Sequence, residues 1–276
     1  MIELPEAVTL ARQLDETLRG KRIVSAQAAH SPHGLAWYFG DPSGYDELLA
    51  GRTVTGAVAH GGRPEIRAED RRISFSDGVN VRYFAPGEKL PDKHQLLLTF
   101  DDGAALVCTV QMYGGLEAFV DGDNDNPYYL VGGQKPSPLS DAFTRDYFAS
   151  LLTPATRKLS AKAFLATEQR IPGLGNGVLQ DILWRAGLNP RTKIGTLDDA
   201  GVARLSQVVR DVLAQMTSAG GRSTEKDLFG RPGGYPVMLC SQTAGAPCPA
   251  CGTPIVRSAY LGGNVYVCPG CQPIAV

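Results

Sequence analysis

The tightest constraint on the fold lies near the end of the chain, where "CPACGTPIVRSAYLGGNVYVCPGC" sets Cys248, Cys251, Cys268 and Cys271 in the pattern C-x2-C-x16-C-x2-C. Each C-x-x-C pair can curl two sulfur atoms toward one point, and a sixteen-residue spacer accommodates a hairpin between the pairs. Gly252 and the glycine inside the second pair supply the tight turns. This spacing predicts a C-terminal finger around one structural zinc ion. Two disulfides or redox pairs are the competing reading, opposed by the reducing conditions of a cytoplasmic chain. Cys108, inside a strand pattern, and Cys240, upstream of the cluster, read as packing residues rather than ligands.

The opening "MIELPEAV" is acidic, the opposite of the basic start of a secretory signal, and no apolar run approaches the roughly 20 residues of a membrane span. The expectation is a cytoplasmic protein without a membrane partner. At 276 residues, 43% hydrophobic and 20% charged, the chain has material for two domains with separate cores. A net charge of −1 does not advertise a nucleic-acid binder, although such binding needs only a local basic face.

Pro5 suits a first helical turn, Ala7, Leu10, Ala11, Leu14 and Leu18 recur at helical spacing, and Gly20 is a natural stop, so a helix is expected over 3–19. From about 22 to 131 the period becomes that of strands: "KRIVSAQAA", "RTVTGAVA", "RRISFSDG", "NVRYFA", "HQLLLTFDDG", "ALVCTVQM" and "GLEAFVDG", with Asp-Gly turns between several. Such a run predicts a β-sandwich or barrel flanked by the first helix. "VGGQKPSPLS" at 131–140 reads as the interdomain connection. Helical patterns follow in "DAFTRDYFASLL", "SAKAFLATEQR", "GVLQDILWRAGL" and "LDDAGVARLSQVVRDVLAQMTSAGG".

The expected fold is therefore α+β and multi-domain. A helix plus β-sandwich occupies 1–131, a linker 132–143, a helical domain 144–235 and the zinc-finger hairpin 236–276. Between two helices, "RIPGLGNG" makes a tight reversal that can present backbone N–H groups to a phosphate, or can be an ordinary interhelix turn.

Taken in order, "ELPE" at 3–6, "KH" at 93–94, "PLSDAF" at 138–143, "LSAKAFLATEQRIPGLGNG" at 159–177, "AGLNP" at 186–190 and the finger ending in "CPGCQ" resemble the formamidopyrimidine-DNA glycosylase / endonuclease VIII family of base-excision repair, nearly end to end. The resemblance implies a helix–two-turns–helix DNA-binding domain and an enzyme that flips a damaged base from the duplex and cuts its glycosidic bond. In that family an N-terminal amine attacks the sugar C1′, forms a Schiff base, and elimination nicks the strand. It implies Glu3 as catalytic acid and Glu6 as its supporting carboxylate. Lys162 and Asn176 fall on phosphate contacts, and Lys93 and His94 where the sandwich grips the strand near the lesion.

Several positions depart from the family pattern. Ile2 stands where proline is usual, so Met1 is expected to stay in place, leaving a primary amine displaced by about 3.5 Å of chain. Gly263 and Asn264 replace the finger's phosphate-gripping arginine. Arg63 stands for a sandwich lysine, a substantial change at a catalytic site. Tyr83 takes the place of a methionine wedge, and Gln111 and Met112 lie where an arginine is usual; Tyr83 and Met112 read either as stacking wedges or as core residues. The segment 222–235, which covers the flipped base in the family, looks short, implying a more open pocket.

The resulting expectation is a monomeric DNA glycosylase acting on double-stranded DNA with a damaged or abasic site, nucleoid-associated when bound, with Met1, Ile2, Glu3 and Glu6 at the chemistry and strand-nicking weakened. Glu3 would activate water or protonate the sugar. The alternative is a non-catalytic binder of abasic or distorted DNA. One finger beside a glycine turn offers no base-reading helix, which argues against a transcription factor.

Overall fold

The computed structural model describes residues 1–274. The first helix, α1 (Leu4–Leu18), has Pro5 in its opening turn, and Gly20 at φ +84° turns the chain out of it. Its stripe of Ala7, Leu10, Leu14 and Leu18 is fully buried. Then follow β1 (Ile23–Ala28), β2 (Ala36–Trp37), α2 (Tyr45–Leu49), β3 (Val54–His60), β4 (Arg63–Ala68), β5 (Arg71–Phe75), β6 (Val79–Phe84), β7 (Leu96–Phe100), β8 (Ala105–Val110) and β9 (Gly114–Val120).

These strands form two sheets, ordered β1-β7-β8-β6 and β2-β9-β5-β4-β3. Neighbours run antiparallel except the short β2, which is parallel to β9. Val81, Leu96, Leu98 and Leu106 from the first sheet share one core with Ile66, Ile73, Phe75 and Leu116 from the second, and with the α1 stripe. Each such side chain contributes roughly 1.5–3 kcal/mol on burial. The expected sandwich is present.

The helical half comprises α3 (Pro127–Gln134), α4 (Arg145–Ser150), α5 (Ala161–Ala166), α6 (Asn176–Ala186) and α7 (Asp199–Ser218). Phe148, Phe164, Leu179, Ile182, Val209 and Leu213 form its core. Ile2 belongs to the sandwich core, while Leu4, two residues on, belongs to the helical core. The first residues are thus the seam between the halves. β10 (Val256–Tyr260) and β11 (Gly263–Val267) make the finger hairpin.

Two features differ from the sequence reading. The expected linker 132–143 opens inside α3, whose Gly132 packs so close to β3 that a Cβ there would come within 2.7 Å of the His60 carbonyl oxygen. β4, not anticipated, is an interior strand: its Glu65 is buried, with Tyr129 donating to it at 2.6 Å and His60, Arg67 and Arg72 around it. Pro64 sits at the strand's beginning, where a missing N–H is tolerated. Among the described residues no helix is long and apolar enough to cross a membrane.

Candidate active site

Glu3 lies just before α1, in extended conformation, and its carboxylate faces the first turn of α6. Oε1 accepts the Gly177 N–H at 2.8 Å and Oε2 the Val178 N–H at 2.7 Å. A helix N-terminus leaves such donors free and favours negative charge. The glycines of "PGLGNG" permit the approach: a Cβ at Gly175 would lie 2.6 Å from Glu3 Oε1. Gly173, at φ +80°, accepts the Leu4 N–H at 2.9 Å and presses on the β3–β4 turn at Gly61 and Gly62. The glycine-rich reversal therefore docks by its backbone against the N-terminal strand.

Glu6, one turn into α1, accepts the Glu3 backbone N–H at 3.2 Å. Arg222, on the segment after α7, closes the cluster. Its Nε donates to Glu6 Oε1 at 3.0 Å and its Nη2 to Glu6 Oε2 at 2.7 Å, a bidentate pair, while Nη1 lies 3.6 Å from Glu3 Oε2. Nη2 also donates to the Met1 carbonyl oxygen at 2.9 Å. Glu3, Glu6 and Arg222 are each at most 6% exposed. Burial is the largest influence on the Glu3 carboxyl and holds it above its ordinary value; Arg222 opposes the rise, Glu6 adds to it, and the two N–H donors oppose it.

The terminus is pinned at several points. The Met1 amine meets Glu225 at 2.5 Å, the Ile2 N–H donates to the Asp77 carbonyl at 2.6 Å, and the Ile2 side chain is buried in the sandwich core. Beside it lies a cavity of about 280 Å³ walled by Met1, Ile2 and Glu6, by Val79 to Arg82 of β6, and by Thr224 to Lys226. Of the segment 222–235, Thr224 to Lys226 line this cavity and the residues after them dock against α1 and the sandwich core. Gln13 bonds Asp227 and the Leu228 N–H, and the Leu228 side chain enters the sandwich core.

A second group of expected residues converges on the finger tip. Lys162, buried, donates to the Tyr260 carbonyl at 2.6 Å, and Asn176 donates to the Asn264 carbonyl at 3.0 Å. Burial lowers the Lys162 ammonium below its ordinary value. Asn264 Oδ1 accepts from Arg257 Nε at 3.1 Å, so a guanidinium from the opposite strand reaches the tip that lacks an arginine of its own.

The remaining residues separate. Arg63 pairs with Glu117 of β9 in the same sheet at 3.1 Å. Tyr83 is half-buried, edge-on to Phe229, and packs against the sandwich core. Met112 is 65% exposed at φ +68°, next to Tyr113, whose ring meets the exposed Trp37 at 5.6 Å. Lys93 is exposed. His94 is buried, stacked on His30 at 4.5 Å and bonded through Nε2 to Gln27; burial, then His30, hold it below the usual histidine value.

The ligand atoms of Cys248, Cys251, Cys268 and Cys271 all lie within 4.8 Å of one another, a four-sulfur set suited to one tetrahedral metal ion. The knuckle is docked: Gln272, buried, donates to the Leu188 carbonyl at 2.8 Å and accepts the Cys268 N–H at 3.0 Å, while Asn189 donates to its carbonyl. Thus "AGLNP" and "CPGCQ" meet.

Arg222, Glu225 and Arg257 escaped the sequence reading. The only signal was a charged residue directly after the Gly220–Gly221 pair, and charges are common in loops.

Residues 135–227 match the family described as the formamidopyrimidine-DNA glycosylase H2TH domain. The formamidopyrimidine-DNA glycosylase of Symbiobacterium thermophilum is 31% identical over 99% of this chain and 90% of its own length. That of Chloroflexus aggregans is also 31% identical, over 99% of this chain and 98% of its own. The MutM (Fpg) protein of Thermus thermophilus superposes with a TM-score of 0.82 over 99% of this chain and 100% of its own, at 24% identity. The Lactococcus lactis Fpg in complex with abasic-site DNA does so at 0.82, over 98% and 99%, with 23% identity.

Proposed function

Because the chain belongs to the formamidopyrimidine-DNA glycosylase family, we propose that it is a DNA N-glycosylase of base-excision repair that works through Glu3 and water, with strand nicking suppressed. Damaged duplex DNA lies across the seam between the halves, and the extruded base enters the cavity of about 280 Å³ beside Met1 and Glu6. Asn176, Lys162 and Arg257 face the phosphates from the finger side, and Met112 enters the space left by the base. The family name makes a duplex carrying a formamidopyrimidine the first substrate to test.

The observation that carries this reading is the placement of Glu3, a buried carboxylate held in a fixed position by two backbone donors. Glu3 takes a proton from water as the water oxygen bonds to C1′ and the C1′–N bond breaks. The base leaves with the bond's electron pair and regains a proton, so one water is consumed. The Met1 amine is tied to Glu225 and must leave this contact before it can attack the sugar. The four cysteines hold one structural zinc ion, which stiffens the hairpin that meets Lys162 and Asn176. The protein acts as a monomer in the cytoplasm, on nucleoid DNA.

Incubation with formamidopyrimidine, oxidised-base and abasic duplexes tests this, with products resolved before and after alkali. Base release with little nicking before alkali is expected. Tight binding without base release would instead identify a binder of abasic or distorted DNA, a reading favoured by the finger tip's missing arginine.

A further inference from the structure

We propose that Arg222 is a positioning residue that sets the proton affinity of Glu3 and ties it to the segment that lines the cavity at Thr224 to Lys226. The geometry is specific. A guanidinium 3% exposed forks onto Glu6 at 3.0 and 2.7 Å, stands 3.6 Å from Glu3, and holds the Met1 carbonyl at 2.9 Å. Its backbone N–H also donates to Glu6 Oε1 at 3.0 Å, so both ends of the residue are engaged. Two to four residues on, Thr224, Glu225 and Lys226 line the cavity. A shift of this segment therefore moves a positive charge relative to Glu3.

Position 177 is part of the same device. A side chain there would overlap the Arg222 guanidinium, so Gly177 leaves the room that Arg222 fills. The charges facing this pair come from every packed element. Glu6 lies on α1, Asp181 on α6 and Glu225 on the cavity-lining segment; Tyr113 stands on the turn before β9, and the Met1 amine at the terminus. Arg222 is the cation nearest to Glu3 among them, and an opposite charge at this range lowers a carboxyl where burial raises it. Without it, Glu3 and Glu6 would face each other buried and uncompensated, and Glu3 would hold its proton to higher pH.

The inference rests on Glu3 acting as proton acceptor, so its test is the pH profile of single-turnover base release from a formamidopyrimidine duplex. The wild-type rate should rise from acid pH and level off. Arg222→Met should move that acid limb upward by at least about one unit, whereas Arg222→Lys, which keeps the charge, should leave it near the wild-type position. Glu6→Gln removes the like charge while Arg222 stays, and should move the limb downward; it decides the matter if Arg222→Met does not fold. A uniform loss of rate with the limb unmoved in Arg222→Met, or an unmoved limb in Glu6→Gln, would overturn the proposal. Absence of base release by the wild type at every pH would instead overturn the glycosylase reading beneath it.

Discussion

Oε2 of Glu3 lies 2.7 Å from the backbone nitrogen of Val178, across the seam between the first helix and the helical half. The acid at the start of the chain is thereby held by the helix that follows the glycine reversal, 175 residues later. The site exists only when the two halves are docked.

Glu3→Gln should lower base release by about 100-fold or more, the usual size of a general acid–base contribution. The amide cannot take up a proton, and its NH2 group would meet a backbone N–H. Wild-type activity should fall on the acid side with a midpoint above the ordinary glutamate value of about 4.3, because Glu3 must be deprotonated and burial raises its pKa. Single-turnover rates against pH check both statements; an acid limb persisting unchanged in Glu3→Gln would count against Glu3.

Gly175→Ala should keep the fold and damage the chemistry. The added Cβ would lie 2.6 Å from Glu3 Oε1 and push the carboxylate aside. A shift of about 1 Å can cost about 100-fold, so base release should drop by about 10- to 100-fold, and the thermal midpoint should fall as the buried carboxylate leaves its two backbone donors.

Borohydride reduction with abasic duplex should trap little covalent complex, since the Met1 amine is tied to Glu225. Glu225→Gln should raise the yield by weakening the contact that holds the amine in place. Ile2→Pro should allow Met1 to be removed and restore some trapping, at a stability cost of about 1–3 kcal/mol because the Ile2 packing in the sandwich core is left unfilled. Efficient trapping by the unaltered protein, mapped to the Met1 amine, would refute suppression.

Freshly purified, reduced protein should contain about one zinc per chain by elemental analysis. Cys251→Ser should release it and loosen the finger, because a structural ion contributes folding free energy directly. Duplex affinity should fall with it, as the tip that meets Lys162 and Asn176 loses its order.

Asn176→Ala should weaken binding to every duplex to a similar extent, since phosphate contacts position without reading sequence. Arg257→Ala should do the same and reduce the slope of log affinity against log salt by about 1. Fluorescence titrations at several salt concentrations would show this; an unchanged slope would remove Arg257 from the phosphate face.

Local chemistry explains what was readable in the chain before any fold was known. Metal coordination demands sulfur pairs at short spacing, so the finger could be placed from Cys248, Cys251, Cys268 and Cys271. Burial on one face imposes a period, so α1 and most strands were visible in their apolar residues. β4 was hidden because it carries Glu65 and Arg67; the buried Glu65 is met by Tyr129, His60 and Arg72 from other elements and by Arg67 of its own strand. Arg63, Tyr83 and His94 have local patterns compatible with a DNA face. Only packing turned them toward Glu117, Phe229 and the His30–Gln27 pair. Arg222 and Glu6 are 216 residues apart, and nothing near either announces the other. Periodicity records which side of an element leaves water. The pairing of buried charges depends on how finished elements dock, and the tertiary structure alone decides it.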